Sequence, residues 1–328
     1  MSTSDSPTPP SYVLPDDVTH TIAGLRSLGQ LPDEAVRVGD ALEWAGKGYA
    51  TRVEVTALAS EDGVRRSEVR MVSRLTEPTL PALDTAALHL VNTHAGLGAL
   101  RRRADGGLEM AAAALVDRSD VRYVAGWQMM VGGVARVLGE AGLALIYCTL
   151  VDPSMTEAWR TRLGFPHAWQ DRPGFGELEA AHRIMTRYGY PARVDAESVL
   201  LQFTVPMAAK AAAEGGGRPE SVVQVGLGPG HVHPLFGPGY RVHADTTLPG
   251  TWTWDQTAAF AEALNESEQQ RPGWWVPRLG AWRASGAGTI AYEGRVGTEV
   301  PWPGMVERLA EGMVERVGWV EEVVKLRG

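Results

Sequence analysis

The chain carries one segment twice. Leu83-Asp84-Thr85-Ala86-Ala87-Leu88-His89-Leu90-Val91-Asn92 is echoed by Asp255-Gln256-Thr257-Ala258-Ala259-Phe260-Ala261-Glu262-Ala263-Leu264-Asn265. The Thr-Ala-Ala triplets lie 172 residues apart. Downstream, Leu97-Gly98-Ala99-Leu100-Arg101 matches Leu279-Gly280-Ala281-Trp282-Arg283 at a spacing of 182 residues. The ten-residue difference places a longer loop in the second copy, around Arg271-Pro272-Gly273-Trp274-Trp275. A duplicated unit builds a scaffold with two related faces, which favours binding over catalysis.

The 328 residues suffice for two domains, and 44% hydrophobic content supplies their cores. A net charge of −8 and a pI near 5.6 argue against a nucleic-acid partner, which needs a basic face. The one basic run, Arg101-Arg102-Arg103, is followed by Asp105 and reads as a solvated strand end. The single cysteine, Cys148, forms no intrachain disulfide and sits in an apolar run that reads as a buried strand, so a reducing cytoplasm is expected. Residues 1–14 read as a disordered tail with no apolar h-region. No apolar run reaches the roughly 20 residues of a membrane span, so no membrane insertion is expected.

Hydrophobic periodicity gives the same order of elements in each copy. In the first, Val18, Ile22, Leu25 and Leu28 mark a helix, and Tyr49–Leu58 and Val64–Leu75 alternate as a hairpin. Pro81 opens a helix through Thr93, and Gly98–Arg103 and Leu108–Val116 form a second hairpin around Asp105-Gly106-Gly107. A helix striped by Val121, Val124, Trp127, Val131, Val134 and Leu138 closes the copy. In the second, helices are expected over Glu177–Tyr188, Trp254–Glu268 and Pro301–Lys325. Strands are expected over Val199–Val205, Val222–Leu227, Tyr240–Leu248, Arg278–Ala284 and Thr289–Val296. Between the copies, Ala144–Val151 reads as a strand and Met155–Leu163 as a short helix. The fold class is α+β: two related domains, each an antiparallel sheet with helices packed on it. The first domain spans 15–152, a linker 153–174 and the second domain 175–328.

This order resembles the type III secretion chaperone and YbjN-like fold, present in tandem. The residues that carry the resemblance are the helices ending in Asn92 and Asn265, the Leu-Gly-Ala strands, the turns at Asp105-Gly106-Gly107 and Gly286-Ala287-Gly288, and the closing amphipathic helices. It covers most of 40–145 and 175–327. It implies an acidic, cytoplasmic, non-enzymatic protein that binds another polypeptide, as chaperone or adaptor. It also implies two sheets packed as a monomeric imitation of a dimer. The fused tandem and the tryptophan-rich second copy depart from the family pattern, so the partner does not carry over.

A rival reading comes from Val222-Val223-Gln224-Val225-Gly226-Leu227-Gly228-Pro229-Gly230. A strand entering Gly-x-Gly-x-Gly resembles the cofactor loop of S-adenosylmethionine-dependent methyltransferases, with Asp245 as a ribose-binding carboxylate. Pro234, Gly237 and Pro238 forbid the helix that must follow, so a Gly/Pro hairpin loop is favoured and no cofactor is expected. His231 and His233, with His243 as a third ligand, could hold a metal. Exposed loop histidines are the better reading, because the loop lacks Asp, Glu and Cys. No nucleophile motif is present, so no catalytic residue is assigned.

Seven of the eleven tryptophans lie beyond residue 250, a concentration that suits either binding hot spots or a core filled with large rings. Trp252 and Trp254 share a parity in an extended segment and should point to one side. Trp274 and Trp275 stand in the inserted loop, where burying both is hard. These four residues are the expected partner-binding set.

Overall fold

The computed structural model describes residues 17–58, 66–117, 121–164, 182–183, 186, 192–195, 200–206, 220–226, 233–237, 239–248, 250–271, 277–297 and 305–327. The first half contains α1 (Asp17–Leu28), β1 (Val36–Val38), β2 (Ala41–Gly46), β3 (Tyr49–Leu58), β4 (Arg66–Leu75), α2 (Thr85–Asn92), β5 (Ala99–Arg102), β6 (Leu108–Asp117) and α3 (Val121–Ile146). A single π-helical turn over Tyr147–Val151 and a 3-10 turn over Pro153–Met155 lead into α4 (Thr156–Leu163). The second half contains β7 (Ala192–Asp195), β8 (Leu200–Pro206), β9 (Glu220–Gly226), β10 (Gly239–Thr247), α5 (Trp254–Gln270), β11 (Gly280–Gly286), β12 (Thr289–Gly297) and α6 (Met305–Arg327).

Each half forms a six-stranded antiparallel sheet. Sheet A runs β1-β2-β3-β4-β6-β5, and sheet B, read from its far edge, runs β7-β8-β9-β10-β12-β11. The orders are identical, element for element, so the fold is α+β and duplicated. The strict alternation of β3, buried at Tyr49, Thr51, Val53 and Val55 and exposed at Ala50, Arg52 and Glu54, turns one face of sheet A inward. There α3 packs Val131, Val134, Leu138, Ala141 and Leu145, all at most 7% exposed. The α1–α3 approach is close because Gly29, the residue just past α1, meets Gly132 of α3. A Cβ on Gly29 would meet the Cα of Gly132 at 2.4 Å.

The equivalence also sets the register. Asn92 donates Nδ2–H to the Leu100 carbonyl (2.9 Å) and accepts from the Leu100 N–H (3.0 Å). Asn265 makes the same pair with Trp282, at 2.8 and 2.7 Å. A buried amide satisfied at both ends ties each helix to the strand that follows it. Asn92 therefore corresponds to Asn265, one residue out of step with the Thr-Ala-Ala match. Most of the insertion is helix rather than loop, because α5 continues past Asn265 to Gln270 whereas α2 stops at Asn92.

Several expectations need correction. Ala144–Val151 is not a strand: α3 runs through it into the π turn, and Cys148 is only half-buried. A short apolar run cannot by itself distinguish a strand from a buried helix. Val124–Val151 is also long and apolar enough to cross a bilayer by length and composition, contrary to the sequence estimate. In the structure 67% of its most apolar window is buried inside the protein. The short helix expected over Met155–Leu163 is α4, and it is anchored to the first half: its Trp159 is buried and stacks on Tyr147 at 6.1 Å, and Arg162 reaches Glu140 of α3 at 3.0 Å. Strands β1, β2 and β7 were missed. The expected tail (1–14) lies outside the described residues, as does nearly all of the expected helix over Glu177–Tyr188.

Candidate functional site

The two halves meet along equivalent surfaces, and the contacts are reciprocal. Pairing of Ala99 with Ala111 and of Ala281 with Glu293 makes Ala113 the counterpart of Arg295, and Gly96 the counterpart of Arg278. Across the junction Ala113 N–H donates to the Arg278 carbonyl (3.2 Å) and Arg278 N–H to the Ala113 carbonyl (2.7 Å). The mirror contact is Arg295 N–H to the Gly96 carbonyl (3.0 Å). His89 of α2 and its counterpart Glu262 of α5 face each other directly, Nε2 to Oε1 at 3.8 Å. This is the pattern of a two-fold interface, in which each patch packs on its own equivalent.

The side chains break the symmetry in a complementary way. Where one contact has Ala113 against Arg278, the other has Arg295 against Gly96. Arg278 is fully buried, ion-paired to Glu68 of sheet A, and donates to the Arg271 carbonyl at 2.6 Å and the Glu268 carbonyl at 3.3 Å. Glu268 in turn accepts from the Trp282 indole (2.6 Å) and from Arg316 of α6 (3.0 Å). Arg295 bonds the Gly237 carbonyl; burial and the nearby Arg241 charge pull its pKa down to about 9. A Cβ on Gly96 would lie 2.8 Å from Phe236 and 3.2 Å from Arg295, so glycine is what lets this side close.

The described part of the Gly/Pro loop acts as a latch on the first half. His233–Gly237 forms a turn closed by reciprocal backbone bonds of 2.8 and 2.9 Å. His233 Nδ1 accepts from the Leu235 and Phe236 N–H groups, so its proton sits on Nε2, which donates to the His94 carbonyl at 3.0 Å. Arg160 of α4 donates to the Pro234 carbonyl. His233 is thus not an exposed loop histidine. Both ring nitrogens are committed, and burial together with the Arg295 charge lowers its pKa to about 3. His231 lies outside the described residues. The loop joins β9 and β10, which pair antiparallel, whereas the methyltransferase reading requires a helix between parallel strands. Asp245, the candidate ribose ligand, is bonded to His243 at 2.8 Å.

His243, Asp245 and Arg241 alternate along the outer face of sheet B, with Glu293 opposite His243. His243 Nδ1 lies 2.6 Å from Glu293, and Arg241 also binds that carboxylate. Burial alone would lower the pKa of His243, but its bonds to Asp245 and Glu293 outweigh that and raise it to about 9. An imidazolium held between two carboxylates cannot take a proton at neutral pH, so this cluster is arranged for charge pairing rather than base catalysis. The Cys148 thiol is pushed up by burial, the opposite of an activated nucleophile.

The tryptophans part ways. Trp254 is the first residue of α5, capped by Thr253, so strand parity does not govern it. It is 39% exposed and meets the His89 ring edge-on at 6.2 Å. Trp252 turns in against Phe260 at 5.4 Å. The pair does not point to one side as expected. Trp274 and Trp275 lie outside the described residues.

Sequence reading missed the outer face of sheet A. The helices α1 and α3 cover the inner face, and the outer face holds an open groove of about 760 Å³. It runs from Val36 on the edge strand past Ala45, Ala50, Val72 and Arg74 to Arg101. Ion pairs border it: Arg52 with Glu43 across the strands and with Glu54 along its own, and Arg101 with Glu109 across the hairpin. The signal was present in the alternation of β3 and β4, whose second face is neither apolar enough for a core nor uniformly charged. Comparison of the chain with protein-family models, curated proteins and solved structures finds no match.

Proposed function

We propose that this protein is a non-enzymatic chaperone or adaptor that binds another polypeptide, with its two halves imitating the dimer of a single-domain relative. The observation that carries the reading is the open groove on the outer face of sheet A, beside the part of that face which the second half covers at Glu68 and Ala113. The uncovered part of the face presents small, aliphatic and paired charged residues, and its far edge β1 is exposed at Val36 (57%) and Val38 (48%). Short edge strands protect a sheet from indiscriminate pairing. The brevity of β1, at three residues, suits controlled rather than general capture.

The test is capture of partners from native host extract on the tagged full-length chain. A polypeptide should co-purify in stoichiometric amount. Val72→Glu, which changes a half-buried groove residue without touching the core, should reduce its recovery about tenfold, the scale of a central contact. Recovery unchanged by Val72→Glu would move the site elsewhere, first to Trp254, Trp274 and Trp275. Saturable binding of S-adenosylmethionine in a calorimeter, with no polypeptide captured, would replace this reading with the methyltransferase one.

A further inference from the structure

A second concavity, of about 710 Å³, lies where the two halves meet. One wall is the β5–β6 hairpin, with Arg101 and Arg103; the other is a stripe of α5, with Ala259, Glu262 and Glu266. Positions three and four apart share a helix face, so the two glutamates stand together above a trough left by alanine. Ala259, exposed, and Ala263, half-buried, give the accessible apolar floor, with Leu88 and Leu100 beneath it at no more than 1% exposure. The volume is that of an ordinary ligand cleft, and junctions between domains are where such clefts concentrate.

The walls carry opposite charge. Arg101 contacts Glu109 at 2.7 Å and Arg103 contacts Asp105 at 2.6 Å. A guanidinium has five N–H donors, which one carboxylate does not exhaust. On the other wall the Glu262 carboxylate is incompletely compensated. Its Oε1 is buried facing His89 Nε2 at 3.8 Å and has no hydrogen-bond partner among the described residues. His89 Nδ1 accepts from the Ala284 N–H at 3.3 Å, and burial keeps the ring neutral. The imidazole therefore brings no positive charge to Glu262, and a cation in the cleft would.

The geometry points to a binding site for a short peptide with an apolar body and both termini free. Its ammonium sits at Glu262 and Glu266, its carboxylate at Arg101 and Arg103, and its side chains over Ala259 and Ala263. The cleft shares Arg101 and Glu109 with the groove on sheet A but is otherwise separate, and it stands whether or not that groove binds a polypeptide. Because its walls come from different halves, a bound peptide bridges them and stabilises their docking.

The probe is the tripeptide Leu-Ala-Leu, titrated calorimetrically into the full chain at low salt. Saturable binding is expected. Acetylating the amine, or amidating the carboxylate, should each weaken it about tenfold, the scale of one charge-assisted hydrogen bond. Glu262→Gln should weaken the free peptide by a similar factor and leave the affinity of the acetylated one unchanged. The modified peptides leave the protein untouched, so the comparison does not depend on how a variant folds. No heat up to about 10 mM peptide, a concentration beyond any useful affinity, would overturn the site. Equal binding of free and doubly blocked peptides would overturn it too.

Discussion

Arg278→Met is expected to destabilise the protein by about 3–5 kcal/mol, the cost of removing one partner from a buried ion pair. The guanidinium is fully buried between the halves, where it neutralises Glu68 and caps the carbonyls of Glu268 and Arg271 at the end of α5. Methionine fills much of the volume but supplies no donors. Among the described residues Glu68, 2% exposed, would keep only Arg70, at 3.2 Å, as an ion-pair partner. The double variant Glu68→Gln, Arg278→Met should recover part of the loss, because it removes the stranded charge as well. Urea unfolding of the two variants checks this. A loss below about 1 kcal/mol for Arg278→Met, the scale of an exposed pair, would mean that the junction is wet.

The second large effect is on pH dependence. His89 and His233 are held neutral, with pKa values of about 4 and 3 against 6.5 in the unfolded chain. Burial is the main cause in both, assisted by the charge of Arg283 at His89 and by Arg295, His94 and Arg160 at His233. Below pH 6.5 the unfolded chain binds protons that the native one does not, so stability falls as pH falls. At pH 5 each histidine accounts for a loss of about 2 kcal/mol. Glu293 and Asp245, whose pKa values are lowered in the native state, add to the same acid limb. His243 acts in the other direction. With its pKa raised to about 9 among Glu293, Asp245 and Arg241, its contribution is complete below pH 6.5 and is lost as pH rises through 9. That loss amounts to about 3 kcal/mol. Stability should therefore peak near neutral pH. Urea midpoints at pH 5, 7 and 9 report it, and His243→Gln should flatten the alkaline limb. A midpoint that rises from pH 7 to pH 9 would contradict the charged state of His243.

Much of the fold could be read from the chain because the repeat is written in residues with strong local preferences. The Asp105-Gly106-Gly107 turn fixes a hairpin, alternation fixes β3 and β4, and the helices carrying Asn92 and Asn265 lead into matching Leu-Gly-Ala strands. The end of α3 was misread because Ala144-Leu145-Ile146, each fully buried, carry no polar residue to mark a helical period, and the run on to Val151 then looks like an apolar strand. The strands β1 and β2 escaped notice because each is short, although Val36-Arg37-Val38 before Gly39-Asp40 carries a turn signal. The junction was illegible for a different reason. Arg278 and Arg295 look like ordinary solvent-facing residues, and only the opposing Ala113 and Gly96, far away in sequence, make them interior. The Gly/Pro loop suggested a cofactor or a metal because its residue types suit both. Its described part spends its hydrogen bonds on His94 and Arg160, across the junction.

Equivalent surfaces of the two copies face each other within one chain. Ala99 and Ala281 are counterparts, both fully buried, and together with Ala95 they form a small apolar cluster between β5 and β11. The direct measurement is disulfide formation in Ala99→Cys, Ala281→Cys, made in a Cys148→Ser background and purified under mild oxidation. The account predicts an intrachain bond: a monomer without free thiols that migrates faster when unreduced than when reduced. Two free thiols in the folded monomer, or a bond formed only between chains, would contradict it.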